Sequence, residues 1–198
     1  CEYALENAQT LDEAQAALGS VLEQAKRMSS LISQLLTLSR ADRGQAKLNL
    51  ELINLSELSE MVTEQIREQA VPFDIAVTSE IQPDILIRGD ETMLMRMLLN
   101  LMENGLKYGR PGGHLSLSLY RWGDNAVGEI TDDGIGISQE HLGKIWERFY
   151  QADPSRSGEH GSGLGLSMVQ YIVAAHGGTI YAESTPGLGS KFTFKLPL

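Results

Sequence analysis

A chain of 198 residues, 42% of them hydrophobic, has material for one ordinary core and a smaller appendage, which excludes a disordered polypeptide. The formal net charge of -10 argues against an electrostatic grip on nucleic acid or on an anionic membrane surface, since both need clustered cations. With Cys1 as the single cysteine there is no intrachain disulfide and no cysteine-based metal site, and no apolar run approaches the roughly 20 residues needed to cross a bilayer.

Residues 1–8 read as the tail of an earlier helix that breaks off at Asn7, and the start at Cys1 rather than Met points to a piece of a longer protein. Thr10-Leu11-Asp12-Glu13 is a helix start signal. Beyond it Leu18, Val21, Leu22, Ala25, Met28, Leu31, Ile32, Leu35, Leu36 and Leu38 recur at three- and four-residue spacing, which predicts one long amphipathic helix over 11–40. So wide an apolar stripe on so long a helix is expected to meet another helix or subunit, hence a homodimer through residues 11–40. Ala41-Asp42-Arg43-Gly44-Gln45 has the charge and glycine of a linker.

Residues 47–55 then alternate like a strand, 55–69 are helical, and 73–81 and 85–88 are short strands broken at Pro83. A helix over 91–108 follows, then strands 114–121 and 126–131 as a hairpin across Gly123-Asp124-Asn125. A helix over 163–176 and strands 179–183 and 191–196 around Pro186-Gly187-Leu188-Gly189 complete the chain. Interspersed strands and helices with two hairpins predict an α+β fold: a two-layer sandwich with a mixed or antiparallel sheet and its helices on one face.

Three stretches point to nucleotide chemistry. At about 100° per residue Arg96, Asn100, Glu103, Asn104 and Lys107 fall on one stripe of their helix, opposite Leu94, Leu98, Leu101, Met102 and Leu106. Amide and carboxylate oxygens on such a ledge suit Mg²⁺, a hard ion that takes one or two protein ligands while bridging phosphate oxygens, and Lys107 offers charge to the phosphates. A solvated helix face accounts for the stripe equally well.

Asp132 ends an apolar strand and precedes Asp133-Gly134-Ile135-Gly136-Ile137, so its carboxylate is placed to accept from an exocyclic amine such as that of adenine, although Asp-Asp-Gly is also an ordinary turn signature. Gly158, Gly161, Gly163 and Gly165 lie ahead of a helix whose N-terminus presents free amides to an anion, in neither the Walker nor the dinucleotide pattern. Between them Ile145 to Tyr150 and a polar, glycine-rich stretch to Ser162 suit a lid, with Arg148 or Arg156 able to reach the terminal phosphate; a plain surface loop is the alternative.

In combination these motifs resemble the catalytic, ATP-binding domain of sensor histidine kinases, within the wider group of gyrase, heat-shock chaperone and mismatch-repair ATPases. Asn100 to Tyr108 is similar to the asparagine box, Asp132 to Ile137 to the first glycine box, Trp146 to Tyr150 to the phenylalanine box and Gly161 to Leu166 to the second glycine box. The resemblance covers residues 46–198 as a catalytic domain of the Bergerat type, and residues 1–45 as the second helix of a dimerisation hairpin. It implies ATP and Mg²⁺ as cofactors, with Asn104 and Asn100 at the metal and Lys107 and Tyr108 near the phosphates. Asp132 would meet the adenine amine, while Gly134, Gly136, Ile137, Gly161, Gly163, Leu164, Gly165 and Leu166 would shape the nucleotide site and lid. Asn100, Lys107 and Arg148 are the residues expected to assist catalysis. Where the family often has Arg or Lys this chain has Gln151, and where it often has Ala this chain has Gly105.

The ATPases of the group carry Glu at the position of Asn100, and an amide cannot take a proton from water. Transfer of the γ-phosphoryl to an imidazole is therefore the chemistry implied, for relay to a response regulator receiver domain. None of His114, His141, His160 and His176 lies in residues 1–45, so the acceptor is expected outside this chain. A cytoplasmic location is implied, with the intact protein open to an inner-membrane anchor. The alternatives are a serine-directed anti-sigma-type kinase of the same fold and a nucleotide-sensing module without catalysis.

Overall fold

The computed structural model describes residues 10–42, 48–152 and 162–198. The helix tail expected at 1–8, Arg43, Gly44 and Gln45 of the linker, and Arg156, Gly158, His160 and Gly161 of the lid lie outside the described residues. Two compact units divide the chain, residues 1–46 and 47–198.

In the first unit the described residues form a helix, α1 (Leu11–Asp42), which begins on a capping box: Thr10 Oγ1 accepts from the Glu13 N–H at 3.3 Å and Glu13 Oε2 accepts from the Thr10 N–H at 3.1 Å. Its Leu18, Val21, Leu22, Met28, Ile32, Leu35 and Leu36 are exposed.

The second unit opens with β1 (Glu51–Asn54), which stops where Asn54 caps α2 (Leu55–Ala70) by accepting from the Ser56 and Glu57 N–H groups. A 3₁₀ turn (Val71–Phe73) leads into β2 (Ala76–Ile81), β3 (Leu86–Gly89) and α3 (Glu91–Tyr108). The hairpin β4 (His114–Trp122) and β5 (Asn125–Asp132) follows, then α4 (Gln139–Leu142), α5 (Gly165–Ala175), β6 (Thr179–Thr185) and β7 (Gly189–Pro197).

The main sheet has the order β2-β4-β5-β7-β6, parallel between β2 and β4 and antiparallel elsewhere. It is the mixed sheet expected, with one difference. The strands expected at 47–55 and 85–88 do not join it; β1 and β3 pair with each other as a separate antiparallel ribbon, in register Ile53 with Ile87. Only four residues of the first alternating stretch are strand, because the Asn54 cap turns the chain into α2 directly after them.

Period-2 alternation sets the layers. Leu115, Leu117, Leu119, Ile130, Phe192, Phe194 and Leu196 are buried with Leu58, Val62 and Ile66 of α2, Leu94, Leu98 and Leu101 of α3, and Met168, Val169 and Ile172 of α5. The opposite positions are mostly polar, and there Glu129 accepts from Lys191 Nζ at 2.9 Å and from Tyr120 Oη at 3.3 Å.

One side-chain network ties the start of α3 to the end of α5. Asp90 caps α3 by accepting from the Met93 N–H at 3.1 Å, and its other oxygen accepts from the Asn49 N–H at 3.0 Å. The Asp90 N–H in turn donates to Nε2 of buried His176, whose Nδ1 donates to the Ile172 carbonyl at 2.7 Å. Those partners assign the neutral tautomer carrying hydrogen on Nδ1. Truncation by His176→Ala leaves the Asp90 N–H without an acceptor, and the expected loss is about 2–3 kcal/mol, read as a lower urea midpoint with unchanged slope. A loss below about 0.5 kcal/mol would show that the contact contributes nothing beyond the surrounding packing.

Candidate nucleotide site

Asp132 is the last residue of the central strand, paired on one side with Leu115 and on the other with Ser190. The chain turns directly behind it: Asp132 Oδ1 accepts from the Gly134 N–H at 2.9 Å, an Asx turn, and the carboxylate also accepts from the Ser190 N–H. Burial raises its pKa above 3.8, and the neighbouring charge of Asp133 works in the same direction, against the two backbone donors that lower it. Asp133 behaves oppositely, held low chiefly by the His114 N–H, with Arg110 adding to the effect.

Two glycines make this turn possible. A side-chain carbon at Gly134 would stand 2.1 Å from the Tyr108 carbonyl, which accepts from the Ile135 N–H at 3.0 Å, so the turn rests on the end of α3. Gly136 has φ +68° and packs on the Thr185 carbonyl at a distance no Cβ tolerates. The Ile137 N–H then donates to Ser184 Oγ at 2.7 Å, fixing the loop to β6.

Asp132, Gly136 and Ile137 face a cavity of about 400 Å³, into which α3 contributes Asn104, Lys107 and Tyr108, and α5 contributes Leu166. Lys107 Nζ lies 4.4 Å from the centroid of the Tyr108 ring, a cation–π contact that steadies it. The lining is completed by Ile145 and Tyr150 of the stretch read as a lid and by Gln151 beside them, and by three residues that the sequence did not single out as ligands: His141 from the segment after β5, and Ser190 and Phe192 from β7. The β7 pair was hidden because it depends on the register of Ser190 with Asp132, which no local pattern encodes. Tyr150 closes the stretch recognised as a lid anchor, and that was the available signal.

Asn100 is not in this lining but lies one turn back on α3, half-buried, and its Nδ2 is buried without a partner among the described residues. A side-chain carbon at Gly165 would stand 3.6 Å from Asn100 Oδ1, so this amide faces the start of α5. Leu164 is buried at the helix N-cap position, and no side chain caps the first turn. The amides of that turn lack intrahelical acceptors, as in any helix start. Gly163 holds the other end of the lid: its carbonyl accepts from the Phe149 N–H at 2.9 Å, and Phe149 takes a left-handed φ of 63°. Arg148 is exposed and outside the cavity lining, so the structure does not bring it together with Asn104 and Lys107.

A larger depression of about 510 Å³ shares Lys107 but is lined by Phe73, Glu103 and Arg110 and reaches neither Asn104 nor Asp132. Among the described residues no group of three or more His, Cys, Asp or Glu could hold a metal ion. The amide oxygens on α3, with the ligand's own oxygens, are a donor set that suits Mg²⁺. Asn104 in the lining and the unpartnered Asn100 amide fit that requirement, since turning an amide over exchanges its nitrogen for its oxygen.

Residues 89–198 match the family described as histidine kinase-, DNA gyrase B-, and HSP90-like ATPase. Sensor-like histidine kinase SenX3 of Mycobacterium tuberculosis (strain H37Rv) is 35% identical over 178 residues, 89% of this chain and 43% of SenX3. Sensor histidine kinase RppB of Synechocystis is 34% identical over 188 residues, 94% of this chain and 41% of RppB. The chain thus spans less than half the length of these curated relatives. Among solved structures, mycobacterial sensor histidine kinase MprB superposes with a TM-score of 0.66 at 29% identity, over 75% of this chain and 97% of that one. Full-length ShkA in complex with AMPPNP gives a TM-score of 0.80 at 26% identity, over 98% of this chain and 41% of ShkA.

The raised pKa of Asp132 fixes a sign. Between 3.8 and its higher folded value the native state binds more protons than the unfolded chain, so the stability this group contributes is full below 3.8 and is lost as pH rises through the folded value. Asp132→Asn removes the titration while keeping an acceptor for Gly134. Urea unfolding from about pH 4 to about pH 7 should show the variant gaining on the wild type as pH rises. A difference that stays flat with pH would contradict the assignment.

Proposed function

Because the chain belongs to the histidine kinase-, DNA gyrase B- and HSP90-like ATPase family, we propose that residues 46–198 are an ATP-binding kinase domain that transfers the γ-phosphoryl of ATP to a histidine on a dimerisation helix. The phosphoryl group then passes to the receiver domain of a response regulator. One observation carries the reading: a buried carboxylate, Asp132, and a polar helix face, Asn104 with Lys107, line a single cavity. The relatives named sensor histidine kinases favour histidine over serine as the acceptor.

In this reading Asp132 accepts a hydrogen bond from the exocyclic amine of adenine, with lone pairs left over from its two backbone donors. Asn104 and Asn100 would hold Mg²⁺ through their amide oxygens. When bound, that ion neutralises charge on the phosphates as the γ-phosphoryl departs. Lys107 donates to the phosphates, and the first amides of α5, at Gly165 and Leu166, meet the same anion. Gly134, Gly136, Ile137, Gly163 and Leu164 shape the walls. Arg148 would approach the terminal phosphate once nucleotide is bound, and Gly161 belongs to the same lid.

Asn100 has no basic oxygen to take a proton from water, so hydrolysis is slow by design and an imidazole nitrogen with its own lone pair is the preferred nucleophile. The nitrogen–phosphorus bond forms as the bond from phosphorus to the β-phosphate oxygen breaks, and ADP leaves. The exposed apolar residues of α1 support homodimerisation through residues 11–40, as part of a dimerisation unit at 1–45. No helix among the described residues is long and apolar enough to cross a membrane. The use of ATP and of a receiver domain implies work on the cytoplasmic side.

Asn104→Ala should weaken magnesium-dependent ATP affinity by about tenfold or more, about 1.4 kcal/mol, with the thermal midpoint little changed, as measured by calorimetric titration. Labelled ATP with a supplied acceptor helix should yield acid-labile phosphohistidine. Phosphoserine would favour the anti-sigma-type alternative, and tight binding without transfer would favour the sensing module.

A further inference from the structure

His141 and Tyr150 are nine residues apart, and no regular element connects α4 to the second of them. The chain between them is a succession of turns. The His141 carbonyl accepts from the Lys144 N–H at 2.8 Å and the Ile145 N–H at 3.1 Å, the Lys144 carbonyl from the Glu147 N–H at 2.9 Å, and the Glu147 carbonyl from the Tyr150 N–H at 3.3 Å. Trp146 packs edge-on against Phe192, with centroids 6.1 Å apart at 87°, and pins the middle of the loop to the sheet. The loop closes on itself where His141 Nδ1 meets Tyr150 Oη at 2.6 Å.

Both rings line the same cavity as Asp132 and Asn104, and Gln151 and Ala152, which follow Tyr150 directly, line it too. The neighbouring Phe149 points its ring to solvent, 62% exposed, from a left-handed backbone. At this turn the inward side chain is therefore Tyr150 rather than Phe149. A half-buried tyrosine with an unheld hydroxyl would be free to turn toward water; tied at its far end, it stays against the cavity.

We propose that His141 is a positioning residue that fixes Tyr150 as a wall of the nucleotide cavity and so sets where residues 150–152 run beside the ligand. This rests on the cavity being the nucleotide site. Because the pair shapes the cavity wall, it acts on nucleotide affinity and leaves the transfer step alone. The bond works only as a pair, so removing either end abolishes the same contact.

The test is a double-mutant cycle on Mg-ATP affinity, by calorimetry on the 198-residue chain, using His141→Ala, Tyr150→Phe and the double variant, with Asp132→Ala as reference. Each single substitution should raise Kd roughly three- to tenfold, in line with one lost hydrogen bond, and the double variant should be no weaker than the worse single. The rate of transfer to a supplied acceptor at saturating ATP should stay within about twofold of wild type, a split that general loss of structure would not give. Tyr150→Phe keeps the ring and the packing, so it reads the bond even where His141→Ala fails to fold. Unchanged affinity in Tyr150→Phe, or effects that add in the double variant, alongside weakened binding in Asp132→Ala, would overturn the pairing while sparing the nucleotide reading. A wild-type chain that does not bind Mg-ATP would overturn both.

Discussion

Asp132 keeps its carboxylate inside the protein with two backbone N–H groups, from Gly134 and Ser190, donating to it while burial pushes its pKa upward. A buried carboxylate with two backbone donors and, among the described residues, no cationic partner is costly to ionise, and three chain segments meet behind it. The Gly134 turn rests on the last carbonyls of α3, Gly136 rests on β6, and the start of β7 supplies Ser190. Loosening any of these changes the accessibility of one carboxylate, which is the group that reads the base in the proposed function.

In the proposed function the same arrangement would set the distance between the base and the phosphates. The loop from Asp132 leans on Tyr108, the final residue of α3, and the polar face of that helix carries Lys107, Asn104 and Asn100 at successive one-turn or near one-turn intervals. Asn100 then faces Gly165 at the opening of α5. The His176 bridge to Asp90 anchors the far ends of these two helices to one another. A rigid ledge between two fixed helix ends is what positioning chemistry requires, because transfer without a general base leaves alignment and charge stabilisation as the available sources of rate.

Much of this was legible in the sequence where the signal is local. The span of α3 follows from its apolar period, and the β4–β5 hairpin from Gly123 and Asp124 between alternating runs. Asn104, Lys107, Tyr108, Asp132, Gly136, Ile137 and Leu166, each read as a ligand residue, do line one cavity. What stayed hidden was non-local. That β1 and β3 form a ribbon of their own depends on pairing across an intervening helix and strand. Ser190 and Phe192 reach the cavity through sheet register, and the His141–Tyr150 bond depends on a series of turns that has no period. Arg148 was expected at the phosphates because of its charge, yet its exposed position in the turn after α4 leaves it outside the lining.

Base discrimination by Asp132 is open to a direct measurement, the affinity of the chain for ATP against that for ITP, which carries an oxygen where adenine carries its amine. A carboxylate acceptor predicts at least about tenfold preference for ATP, because a carbonyl facing a carboxylate leaves both without a donor. That preference should vanish in Asp132→Ala. Equal affinity for the two nucleotides in the wild type, or an undiminished preference in the variant, would contradict the account.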